Sequence, residues 1–86
     1  MLTVEFFGMP RQCTGCAQTA VGGETVVAIL AELEAAYPAL TGLRRSDGGL
    51  SPHYLLSLDG VRFLTDPDER LDPGSRLLLL SADAGG

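Results

Sequence analysis

Cys13-Thr14-Gly15-Cys16 is the pair of side chains in this 86-residue sequence whose spacing invites chemistry. Two thiols three positions apart can close a disulfide, hold a persulfide, or supply half of a tetrahedral zinc set. They can equally be plain structural thiols, and the sequence leaves these readings open. His53 is the only histidine, so a full zinc set would need two further ligands, for example from a second copy. Asp66, Asp68, Glu69 and Asp72 form an acidic run, read as a solvated connector. Arg44-Arg45 is a short basic spot, either solvated or suited to an acidic partner. No combination offers a nucleophile, a base and an orienting group, so no triad emerges.

A different possibility lies in LLLLSADAGG, residues 77–86. A frayed terminus needs no pattern, yet here an apolar run passes through four small or polar residues into Gly85-Gly86. The elements around these residues must explain why.

Eighty-six residues make one small domain with a single core. The apolar share of 45% is that of an ordinary globular protein. No apolar run approaches the roughly 20 residues of a membrane span, and MLTVEFFG has no basic region ahead of its apolar residues, so neither a membrane nor a secretory signal is expected. A cytoplasmic protein is the default. Six basic residues against eleven acidic ones give a net charge of −5, which argues against nucleic acid as a partner. All six are arginine. Without lysine, the chain has no side-chain amine for an isopeptide bond to copies of itself.

Leu2, Val4 and Phe6 alternate with Thr3 and Glu5, as in a half-buried strand, and Phe7 falls on the polar side. Gly8 to Gly15 reads as a loop broken by Pro10. Residues 17–21 form a weak second strand. Thr25 is a suitable N-cap for a helix carrying Val26, Ile29, Leu30, Leu33 and Tyr37 on one stripe, ended by Pro38. Residues 39–53 are polar and turn-prone, a surface loop of variable shape. Residues 54–58 and 61–64 flank Asp59-Gly60, a dipeptide suited to a type I′ hairpin turn. An irregular connector follows with Leu71 as its buried anchor, then a last strand, Arg76 to Ser81.

The order β-β-α-β-β-β implies an α+β fold, a mixed sheet with one main helix on one face. A strand as apolar as 77–80 belongs in the middle of a sheet. Pairing it in parallel with the first strand gives a β-grasp arrangement over residues 1–81, with 82–86 as a flexible tail. Parity places Leu77 and Leu79 under the helix. It places Phe7, Leu78 and Leu80 on the open face with Glu5 and Arg76, as a docking patch beside the tail.

VEFF, the helix ending in Ala36-Tyr37-Pro38, the LDG turn, LDPGS and the terminal Gly85-Gly86 together resemble the ubiquitin-like sulfur carriers. The nearest likeness is to the small subunit of molybdopterin synthase, then to the thiazole-synthesis carrier. The extended segment 39–53 favours the first. The resemblance implies that a ubiquitin-activating-like adenylyltransferase, using ATP and Mg, adenylates the carboxylate of Gly86. A sulfur donor then displaces AMP, and the thiocarboxylate delivers sulfur within a second enzyme, such as the molybdopterin synthase large subunit. Gly85 lacks a Cβ and gives the tail clearance in a narrow channel. The chain is then a carrier and substrate that binds no cofactor of its own. Cys13 and Cys16 depart from the family pattern. Two further readings remain: a protein modifier conjugated through Gly86, and a β-grasp interaction module with an inert tail.

Overall fold

The computed structural model describes residues 1–40 and 42–82. Five strands and two helices follow in the order β1 (Leu2–Phe6), α1 (Met9–Thr14), β2 (Gln18–Val21), α2 (Val26–Ala36), β3 (Tyr54–Leu58), β4 (Arg62–Phe63) and β5 (Arg76–Ser81). The strands form one sheet in the order β2-β1-β5-β3-β4. β1 and β5 run parallel, with Val4 opposite Leu77 and Phe6 opposite Leu79, and every other pair is antiparallel. The apolar β5 sits in the middle, as its composition requires.

Alternation builds the core. Leu2, Val4 and Phe6 of β1, Leu56 of β3 and Leu77 and Leu79 of β5 are buried on one sheet face. Val26, Ile29, Leu30 and Leu33 of α2 close over them. Thr25 caps α2, its side chain accepting from the Ala28 N–H at 3.2 Å. The Val26 and Val27 N–H groups donate to the carbonyls of Glu69 and Pro67. The irregular connector between β4 and β5 thus satisfies two of the helix's orphan N–H groups. Leu71 anchors it, buried as expected.

The Asp59-Gly60 turn has the two positive φ angles that the dipeptide favours, 54° and 73°. The second strand of that hairpin is shorter than 61–64, however. The strand itself is Arg62–Phe63, while the Leu64 N–H still donates to the Leu56 carbonyl at 2.8 Å and its side chain is buried.

Two other expectations are corrected. Gly8 to Gly15 is no plain loop, since Met9–Thr14 form a short helix. Pro10 lies in its first turn, where the missing N–H costs nothing and the fixed φ suits a helix, and Gly15 ends it in the left-handed conformation. Residues 39–53 are also more than a surface loop. Leu40 and Leu43 are fully buried, the Ser51 N–H donates to the Leu43 carbonyl at 2.9 Å, and Arg44 bridges Leu50.

Candidate functional site

The parallel β1–β5 pair sets the geometry of one end of the molecule. The Phe7 N–H donates to the Leu79 carbonyl at 3.0 Å, so the chain leaving β1 stays beside β5 until β5 ends. The Ala82 N–H donates to the His53 carbonyl at 2.9 Å. Ser81 and Ala82 therefore lie at the end of the sheet that also carries Phe7 and α1. The predicted residues Gly85 and Gly86, and the predicted tail from residue 83 onward, lie outside the described residues.

The open face follows from register. Glu5 lies opposite Leu78, Leu78 opposite Ser57, and Ser57 opposite Phe63, making one row across four strands. Leu80 lies opposite Leu55, with Phe7 on its other side. Phe7 is 41% exposed and Phe63 57%, while Leu55, Leu78 and Leu80 are half-buried. The structure thus brings Phe7, Leu78 and Leu80 onto one face. Leu55 and Phe63 join them from the hairpin. Sequence reading missed both, although the Asp-Gly turn fixes the parity that would have found them. Arg76 Nη1 lies 2.8 Å from Glu5 Oε1 at the far end of this face. The patch is apolar at the end of the sheet that carries Ser81 and Ala82 and charged at the other.

The cysteines lie at the same end of the molecule, packed with Tyr37 and Tyr54 against the core. The Cys16 thiol donates to Tyr37 Oη at 3.5 Å, and the Tyr37 ring meets Phe6 edge-on. Tyr54, opposite Ser81 in the register, has its phenol pushed above the ordinary 10.0, chiefly by burial and further by the charge of Cys13. His53 is exposed at the start of β3. Among the described residues, no three His, Cys, Asp or Glu side chains gather closely enough to hold a metal ion. Within the acidic connector, Glu69 pairs with Arg62, and Asp66 accepts from the Asp68 N–H. A cleft of about 220 Å³ beside β3, lined in part by Leu50, Ser51 and Phe63, is smaller than the roughly 300 Å³ at which small-molecule sites begin. No described helix is long and apolar enough to cross a membrane.

A mixed five-stranded sheet with a central parallel pair and a helix across one face is a β-grasp domain. No protein-family model and no curated protein matches the chain, but solved structures do. The HVO 2177 protein of Haloferax volcanii is 30% identical with a TM-score of 0.78, the match covering 99% of this chain and 85% of that one. SAMP1 from the same organism is 26% identical with a TM-score of 0.77, over 99% of this chain and 98% of that one. CysO, solved in the Amycolatopsis orientalis BexX/CysO complex, shares the fold at 20% identity and a TM-score of 0.80 over the whole of both chains. The chain belongs to the ubiquitin-like sulfur carrier family.

Proposed function

We propose that this protein carries sulfur as a thiocarboxylate at Gly86. The observation that supports the reading most directly is the parallel pairing of β1 with β5. It leads β5 toward residues 83–86 at the end of the sheet where Phe7 begins the apolar patch. A carboxylate is a poor electrophile until one oxygen becomes part of a good leaving group. In the proposed sequence, the Gly86 carboxylate attacks the α-phosphorus of ATP and pyrophosphate leaves. A sulfur nucleophile then attacks the acyl carbon, AMP departs, and the sulfur stays on Gly86. An adenylyltransferase resembling ubiquitin-activating enzymes supplies ATP and Mg. Phe7, Leu78 and Leu80 would dock on that enzyme and on the sulfur acceptor. CysO forms a complex with BexX, which fits a life spent between partners. The favoured acceptor is a molybdopterin precursor, supported by the extended segment 39–53, of which Leu40 and Leu43 join the core.

A second reading rests on a specific likeness. SAMP1 of Methanosarcina acetivorans is described as a small archaeal modifier protein, and the same adenylated Gly86 could be attacked by a lysine amine on a target. Activation is common to both readings and the attacking group separates them. Incubation with ATP, the host's activating enzyme and a sulfur donor should give a thioacid that reacts with an electrophilic alkylating probe. Lysine isopeptides without any thioacid would favour the modifier. Pyrophosphate exchange unaffected by deletion of Gly85-Gly86 would exclude both.

A further inference from the structure

Cys13 and Cys16 are not used by sulfur carriage through Gly86, and their surroundings suit a chemistry of their own. Cys13 occupies the last turn of α1. Gly15, at φ 73° and ψ 11°, reverses the chain directly after it, with its N–H donating to the Arg11 carbonyl at 2.9 Å. Thr14 Oγ1 accepts from the Cys16 N–H at 3.3 Å and donates to the Cys16 carbonyl at 3.2 Å. These contacts fix the single turn that links residue 13 to residue 16. Both thiols are half-buried against the core and neither is bridged. Three positions apart across one turn and both partly accessible, they meet the condition under which thiols exchange while fully buried ones stay inert. A metal is the weaker assignment, because no third ligand joins them among the described residues.

We propose that Cys13 and Cys16 form a redox-active dithiol that exchanges with small or protein disulfides. One thiolate attacks a sulfur of the external disulfide, the S–S bond breaks, and the first external thiolate leaves. The second cysteine, as thiolate, attacks the protein sulfur of that mixed disulfide and expels the second external thiolate. The chain gives up two electrons and two protons, and the external disulfide is reduced to two thiols. Closure takes the Cys16 proton from its bond to Tyr37 and pins the end of α1. Because α1 packs on β1 and β5, closure acts on the end of the sheet that carries Phe7 and Ser81. The assignment stands whether or not Gly86 carries sulfur.

The test is equilibration of the full-length chain in buffers of reduced and oxidised glutathione, followed by acid quench, alkylation and intact mass. A monomer lighter by two hydrogens and closed to alkylation is expected. Its equilibrium constant against glutathione should be at least about tenfold larger in the folded protein than in denaturant, an offset of about 30 mV. Through the thermodynamic cycle, the oxidised chain should resist urea better by the same factor. Cys13→Ser and Cys16→Ser, with folding checked by circular dichroism, should instead collect one glutathione each. Two alkylated thiols throughout the series, glutathione adducts without closure, or an equilibrium constant no larger in the folded protein would each overturn the proposal.

Discussion

Thr25 was legible as a cap because the residue types that accept from a helix's first N–H groups are few. The structure adds what the sequence could not show, that Glu69 and Pro67 share the work from a connector more than 40 residues away. Thr25→Ala should therefore lower stability by about 1 kcal/mol in urea titration, since the other donors keep their partners. Tyr54 offers a pH-dependent check. Burial, with Cys13 second, raises its pKa above 10.0, so the folded state holds the phenolic proton more tightly than the unfolded one. That contribution to stability is complete below pH 10 and is lost as pH climbs through the raised pKa. Phenolate absorbance should show a component ionising above 10.0 that Tyr54→Phe removes; a Tyr54 midpoint at or below the ordinary value would contradict the assignment. Tyr54 could not be singled out from sequence, because its burial depends on Cys13 and the core lying against it.

At the scale of elements, period-2 alternation carried most of the information. Leu2, Val4 and Phe6, and Leu77 against Leu78, sort onto the faces their parity assigns. Leu79→Ala should cost about 3 kcal/mol as a core cavity. Phe7→Ala should leave the urea midpoint nearly unchanged while weakening adenylation by the activating partner several-fold, seen as a raised KM for this protein. Equal losses of stability at both positions would undo the face assignment. Signals failed where an element is short or owes its order to distant contacts. Pro10 breaks long helices but suits the first turn of a short one, so α1 looked like a loop. Leu40 and Leu43 sit in a turn-rich stretch whose composition says nothing of the core that receives them. β4 is only Arg62–Phe63, too short for a period to show, although the Leu64 N–H continues to the Leu56 carbonyl.

At the scale of the whole molecule, the β-grasp follows from one inference, that a strand as apolar as β5 cannot lie at an edge. That inference also gives the direction in which β5 leads. The open face and the end of β5 at Ser81 lie together, and Glu5, Phe7 and Arg76 made the face assignment legible in the sequence. The proposed sulfur acceptor has a fainter mark, the length of segment 39–53 alone. Absence of lysine, by contrast, is visible in the sequence and makes a whole-molecule prediction. Incubated alone with ATP and the activating enzyme, the protein should form no isopeptide-linked chains of itself on denaturing gels, whichever attacking group the host uses.

The most direct test of the central claim is the intact mass of the protein purified from its native host, beside a variant lacking Gly85-Gly86. The account predicts a species heavier by the difference between sulfur and oxygen, which alkylation at the thioacid displaces and which the deletion abolishes. An unmodified mass in both proteins, unchanged after incubation with ATP, the activating enzyme and a sulfur donor, would contradict it.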